Sequence, residues 1–97
     1  MRITGYEKKM IKETARNVFG PGVKIFLFGS RTDTTLKGGD IDLLVETAAQ
    51  ATLQHKISFI SKLKWDLGDQ KIDVLVSSPG KKQKEIYAAA KQKGIEL

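Results

Sequence analysis

Apolar residues recur along the chain with two periods, one typical of helices and the other of strands. A capping-box pattern, Thr4 with Glu7, opens a segment in which apolar or small residues return at helical spacing. The inner face of this segment consists of Tyr6, Met10, Ile11, Ala15 and Val18. The pattern predicts a first helix over residues 5–19, which Gly20 ends.

A second amphipathic segment predicts a helix over residues 52–67, ended by Gly68. At 100° per residue, its predicted inner face consists of Leu53, Ile57, Ile60, Leu63 and Leu67. Phe59 and Trp65 fall off this stripe, so each of them either faces a partner or folds over the edge of the core.

A third helix is predicted near the end of the sequence. Ser78 provides an N-cap, Pro79 suits the first helical position, and Gly94 provides a C-terminal cap after Lys93. Its predicted inner face consists of Ile86, Tyr87 and Ala90.

Short runs rich in β-branched and aromatic residues predict strands over residues 23–28, 41–46 and 71–77. Residues 95–97 are predicted to pack as a short edge segment. The element order α-β-β-α-β-α predicts an α/β (α+β) fold, in which helices pack on a small mixed sheet. The polar loop between the first two strands, residues 30–39, leaves their relative direction open.

Two carboxylates lie at the head of the second strand. Strand alternation puts Asp40, Asp42 and Leu44 on one sheet face, and Ile41, Leu43 and Val45 on the other. Because the two aspartates repel each other and Asp is disfavoured in strands, a purely structural strand rarely contains such a pair. On the third strand, Asp73 and Leu75 likewise share one face, and Ile72, Val74 and Val76 lie on the other. If the two strands are neighbours, three aspartates converge on an all-oxygen site that suits Mg²⁺ or Mn²⁺ and phosphoryl-type chemistry.

The first strand ends in the sequence Gly29-Ser30-Arg31, a second candidate site. At such a glycine the backbone amides can approach a phosphate closely, with a hydroxyl and a guanidinium next to them. A Gly-Ser turn is also a common way for a strand to end, so the turn alone is weak evidence for a phosphate site. The aspartates that follow it in the sequence make the combination more specific. Arg31 and Lys37 either neutralise phosphates or are simply solvated.

Taken together, Gly29-Ser30, Gly39–Val45 and Ile72–Val76 resemble the signature of the DNA polymerase beta-like nucleotidyltransferase superfamily. That signature is a Gly-Ser turn, a strand with paired aspartates and a third aspartate on a later strand. The spacing is similar to that of the minimal nucleotidyltransferases of bacteria and archaea, and the resemblance covers nearly the whole chain. The chain departs from them at Thr32-Asp33-Thr34, where many members have a second arginine and a glycine, and at Gly39, where a small hydroxyl residue is frequent.

The resemblance implies a role for each motif residue. Asp40 and Asp42 would hold two Mg²⁺ ions, and Asp73 would bind the catalytic ion and help to activate the attacking hydroxyl. Gly29 and Ser30 would hold the triphosphate. The implied reaction is the attack of an acceptor hydroxyl on the α-phosphorus of a nucleoside triphosphate, with ATP favoured and pyrophosphate leaving.

The resemblance also implies a partner. Minimal nucleotidyltransferases are typically encoded beside a small all-helical HEPN-type protein, and the pair acts as antitoxin and toxin. The leading hypothesis is therefore the transfer of AMP to a hydroxyl of such a protein. The alternative is a catalytically silent subunit that binds a protein or RNA through its basic ends. A sugar-nucleotide enzyme with a DxD motif is a weaker alternative, because it does not account for the Gly-Ser turn or Asp73.

Composition limits the number of domains, the types of site and the cellular compartment that we expect. The 97 residues predict a single domain over residues 1–97. The sequence has no cysteine and one histidine, which excludes a disulfide framework, a thiolate zinc site and a cysteine nucleophile. No apolar run reaches the length of a membrane span, so we expect a cytoplasmic protein without a membrane partner; homo-oligomerisation stays open.

The net charge of +6 is concentrated at the two ends of the sequence. Residues 1–20 and residues 80–97 each contain five basic and two acidic side chains. Such ends suit an anionic partner, although solvated lysines on helix faces explain many runs of this kind.

Overall fold

Two helices and four strands lie in the part of the chain that the structure, a computed structural model, describes: residues 3–28, 41–68, 71–79 and 92–97. In chain order they are α1 (Gly5–Phe19), β1 (Lys24–Phe28), β2 (Ile41–Glu46), α2 (Leu53–Leu67), β3 (Ile72–Ser77) and β4 (Ile95–Glu96). The predicted elements agree with these bounds to within one residue, and the predicted edge segment is confirmed as β4. Most of the predicted third helix, residues 80–91, lies outside the described residues.

Both helices begin with a capping box and end at a glycine. In α1 the Glu7 backbone N–H donates to the Thr4 hydroxyl oxygen at 3.0 Å, and the Thr4 N–H donates to the Glu7 carboxylate at 2.9 Å. In α2 the Thr52 N–H donates to Nδ1 of His55 at 2.9 Å, so a histidine replaces the usual Glu or Gln of this motif. Gly20 has a φ of 93°, a backbone conformation that favours glycine, and it ends α1 as predicted.

The four strands form one mixed sheet in the order β3-β2-β1-β4. β2 runs antiparallel to β1 and parallel to β3, and β4 pairs antiparallel with the outer edge of β1. The direction that the sequence left open for the first two strands is therefore antiparallel. The fold is a small α+β fold of the kind that the element order predicts.

The core lies between the two helices and one face of the sheet. Alternate residues of the three longer strands point into it and are buried: Ile25, Leu27, Ile41, Leu43, Val45, Ile72, Val74 and Val76. For β2 and β3 these are the residues that strand alternation places together on one face. The helices cover them with Ile11, Ala15, Phe19, Phe59 and Leu63. Phe19 of α1 and Phe59 of α2 meet edge to face, with ring centroids 5.3 Å apart.

The structure corrects the predicted inner face of α2. Phe59 is completely buried in the centre of the core, whereas Leu53 and Ile57 are 68% and 48% exposed. At 100° per residue, the buried pair Phe59 and Leu63 lies about 120° around the helix from Leu53 and Ile57. The apolar stripe is wider than the face that α1 and the sheet cover, and the contact with α1 selects the Phe59 side.

Two further aromatic side chains are exposed and are not part of the core. Tyr6 was predicted on the inner face of α1 but is 59% exposed, because it lies at the helix start, a turn before the buried Ile11. Trp65 is 89% exposed, so it does not fold over the edge of the core.

Candidate active site

Two aspartates lie side by side on the sheet face opposite to α1 and α2. Asp42 of β2 and Asp73 of β3 are register partners on parallel strands, and such strands lie about 4.8 Å apart. Asp42 is half-buried and Asp73 is exposed. The predicted convergence of these two carboxylates is confirmed.

The start of the β2–β3 ladder fixes this pair. Each aspartate follows a buried isoleucine, Ile41 or Ile72, which points to the opposite face and into the core. The Ile41 N–H donates to the Lys71 carbonyl oxygen at 2.9 Å, so the two strands begin at the same end of the sheet. A slip of one residue would turn Asp73 toward the helices and its isoleucine toward solvent, so the core enforces the pairing of the carboxylates.

Hydrogen bonds also fix the other end of the β2–β3 ladder. The Thr47 N–H donates to the Ser77 carbonyl oxygen at 2.9 Å, and the Thr47 hydroxyl donates to the Ala49 carbonyl oxygen at 2.7 Å. Both ends of β2 are therefore bonded in the same register. The aspartates sit on a rigid element, which is what a site requires if it is to hold charged groups in a fixed geometry.

An apolar patch adjoins the aspartate pair on the same face. Phe26 and Leu44 are 5% and 1% exposed, and Phe28 and Leu75 pack against them. Phe28 pairs directly with Asp42, so β1 ends beside the first of the two carboxylates. Apolar surroundings strengthen the attraction between a carboxylate and a cation, because they replace water with a medium of lower dielectric constant.

Sequence reasoning did not foresee this patch. It assigned Leu44 and Leu75 to the face of the aspartates, but gave them no part in a site. The signal that could have found the patch is the nearly continuous apolar run of β1 and β2, Ile25–Phe28 and Leu43–Val45, which is typical of strands that are buried on both faces.

The remaining predicted site residues lie outside the described residues: Gly29, Ser30, Arg31, Lys37 and Asp40. Their predicted roles stay predictions. In the segments that the structure does describe, no group of three or more His, Cys, Asp or Glu side chains is placed to hold a metal ion. The Asp42–Asp73 pair supplies carboxylate oxygens, the ligands that Mg²⁺ prefers, so the donor chemistry fits such an ion.

Comparison with known families decides what kind of domain this is. The family model described as "Nucleotidyltransferase domain" matches residues 8–95, a range that includes both aspartates and all four strands except part of β4. The chain belongs to the nucleotidyltransferase domain family. Its general function is therefore nucleotidyl transfer, in agreement with the resemblance in the sequence. No curated protein matches the chain.

Within residues 3–28, 41–68, 71–79 and 92–97, neither helix is long and apolar enough to cross a bilayer.

Proposed function

We propose that the protein is an Mg²⁺-dependent nucleotidyltransferase that transfers AMP from ATP to a hydroxyl group of a protein partner. The observation that carries this proposal is the in-register pair of Asp42 and Asp73 on two parallel strands of a nucleotidyltransferase domain. Two carboxylates so close together repel each other, and a divalent cation held by Asp42 and Asp73 would offset that repulsion.

In the proposed reaction the acceptor oxygen forms a bond to the α-phosphorus, the bond from that phosphorus to the β-phosphate bridge breaks, and pyrophosphate leaves. When bound, Mg²⁺ supplies charge stabilisation for the phosphoryl oxygens. Asp42, half-buried and flanked by Phe28, is held in a fixed orientation by its strand. Asp73 is exposed, so an incoming hydroxyl can reach it, and it accepts the hydroxyl proton directly or through water.

We assign supporting roles to the predicted residues outside the described segments. Asp40 completes the carboxylate set, and Gly29 and Ser30 hold the triphosphate. Arg31 and Lys37 neutralise its charge. This assignment rests on the sequence motif and on the end of β1 at Phe28, which is paired with Asp42.

The proposed acceptor is a small helical HEPN-type protein, with the nucleotidyltransferase as the antitoxin of the pair in the cytoplasm. This part rests on the similarity of the motif spacing to minimal nucleotidyltransferases. ATP as the donor rests on the same similarity, since no described residue identifies a base.

The test is the transfer of α-³²P label from each of the four nucleoside triphosphates, with Mg²⁺, into a co-expressed product of the neighbouring gene. Wild type is compared with Asp42→Asn and with Asp66→Asn, a matched control because Asp66 is an exposed aspartate on α2 away from the sheet. We expect label from ATP in one protein with wild type and the control, and none with Asp42→Asn. Retained partner binding without labelling by wild type would instead indicate a silent binding subunit.

A further inference from the structure

Five cationic side chains form one continuous surface at the side of α1, far from the aspartates. Four of them, Lys8, Lys9, Lys12 and Arg16, fall within an arc of about 100° around the helix and span about 12 Å along its axis. Lys24, at the start of β1, extends the row beyond the helix. These five residues are called the basic surface.

Two depressions lie along the basic surface. A cleft of about 220 Å³ lies between α1 and the start of β1, and Lys12, Arg16 and Lys24 contribute to its lining. A shallower cleft of about 330 Å³ lies between side chains of α1 alone, among them Lys8 and Lys9. Because Lys12 and Arg16 line both clefts, the two form one groove.

The charge of this groove is strongly unbalanced. Among the described residues, two carboxylate side chains, Glu13 and Glu96, contribute to the lining, against the five cations. None of the five cationic side chains forms an ion pair with any of the residues that the structure describes. The positive charge is therefore available to a ligand that carries several negative charges in a row.

Within the described part of the chain, the groove lacks the apolar features of a protein or membrane contact. The large exposed apolar side chains of the described segments are Tyr6, Leu53, Ile57, Trp65 and Ile95, and none of them lines either cleft. Protein interfaces have an apolar, often aromatic centre and are depleted in lysine, and membrane-surface helices need an apolar face. A polar, lysine-rich groove fits a phosphodiester backbone instead.

We propose that the basic surface binds the phosphate backbone of a nucleic acid strand, without reading its bases. The site is separate from the aspartate pair: Lys24 pairs with Glu46 at one end of β1, and Phe28 pairs with Asp42 at the other, about 13 Å away. Binding at the basic surface therefore does not depend on nucleotidyl transfer, and either property can be lost without the other.

The experiment measures the fluorescence anisotropy of a labelled single-stranded RNA oligonucleotide of mixed sequence, titrated with the full chain at several salt concentrations. The test variant is Lys12→Gln/Arg16→Gln, and the control is Lys62→Gln/Lys64→Gln on α2. Both variants remove two exposed cations, and Arg16 and Lys64 have equivalent places in the last turn of their helices. Glutamine keeps the helix propensity nearly unchanged.

We expect the test variant to bind RNA roughly tenfold more weakly and to reduce the slope of log K against log salt by about 1.4, or about 0.7 for each lost phosphate contact. The control should leave the slope unchanged. A second variant, Lys8→Gln/Lys24→Gln, places one change in each cleft and should behave like the first, which guards against a folding defect in either.

Three results would overturn the proposal. One is the absence of RNA binding by wild type at low salt. The second is an equal loss in test and control variants, which would show an effect of net charge alone. The third is competition by polyglutamate as effective as that by unlabelled RNA at equal charge, which would show an acidic protein to be the better ligand.

Discussion

The two faces of the sheet are built from the same strands, but in β1, β2 and β3 one face is entirely apolar and the other also carries charged residues. One face is covered by α1 and α2 and is called the helix-covered face. Every residue of β1, β2 and β3 that points to this face is apolar and buried. The other face begins with the Asp42–Asp73 pair, continues with the apolar patch around Phe26 and Leu44, and ends at Lys24 and Glu46. Strand alternation allows this division, because successive side chains point to opposite sides.

This difference shows how a small domain can tolerate an unfavourable pair of charges. The helix-covered face supplies the burial that stabilises the fold, and it fixes the β2–β3 register through Ile41 and Ile72. The aspartates are then held together although they repel each other. Stability and chemistry are thus separable, and substitutions on the two faces should have different consequences.

The largest expected effect is on activity. Asp73→Asn removes one negative charge from the candidate site without changing the size of the side chain, and we expect the rate of nucleotidyl transfer to fall about a thousandfold, because charge stabilisation at a metal site contributes several kcal/mol. Steady-state transfer of α-labelled nucleotide measures this rate. Asp66→Asn is the control, and an equal loss in that variant would contradict the assignment.

The second largest expected effect is on stability and concerns α2, which packs on the helix-covered face. Phe59→Ala should reduce the free energy of unfolding by about 3–5 kcal/mol, because a fully buried aromatic ring is lost and leaves a cavity. Trp65→Ala, at a larger but exposed aromatic residue of the same helix, should change it by less than about 0.5 kcal/mol. Urea denaturation followed by circular dichroism measures both. Similar losses in the two variants would mean that Trp65 is packed.

A third pair of variants compares the two faces directly. Leu43→Ala, on the helix-covered face, should cost about 2–5 kcal/mol of stability. Leu75→Ala, in the apolar patch, should cost less, because Leu75 is only half-buried. Equal costs in urea denaturation would show that both faces contribute alike to the core.

The smallest expected effect is an increase in stability. In the presence of a chelator, Asp73→Asn should raise the free energy of unfolding by roughly 0.2–1 kcal/mol, because the repulsion between neighbouring carboxylates is removed. Addition of Mg²⁺ should raise the melting temperature of wild type more than that of the variant. A variant that is destabilised without metal would show that Asp73 is a structural residue.

Local signals predicted most of this fold from the sequence. The capping residue Thr4 and the terminating glycines Gly20 and Gly68 predicted the helix bounds, because these residues act on backbone atoms within one turn. The capping box at Thr52 was not predicted, because its third position is a histidine. Alternation alone predicted which faces of β2 and β3 carry Asp42 and Asp73. Membership in the nucleotidyltransferase family agrees with the motif that these residues form.

Features that depend on distant contacts were harder to predict. The in-register pairing of the two strands and the antiparallel direction of β1 and β2 depend on contacts between separate segments, which no local pattern specifies. The inner face of α2 was misassigned because its apolar residues cover more of the helix than its neighbours do, and only the packing of α1 selects Phe59 over Leu53.

The most direct test of the central claim is a nuclear magnetic resonance titration of the backbone amides with Mg²⁺ and a non-hydrolysable ATP analogue. The account predicts saturable shifts at Asp42, Asp73 and Phe28, no comparable shifts at Lys24 and Glu46, and loss of the saturable shifts in Asp73→Asn. Saturable shifts confined to the Lys24 end, or unchanged in that variant, would contradict the claim that the aspartate pair forms the nucleotide site.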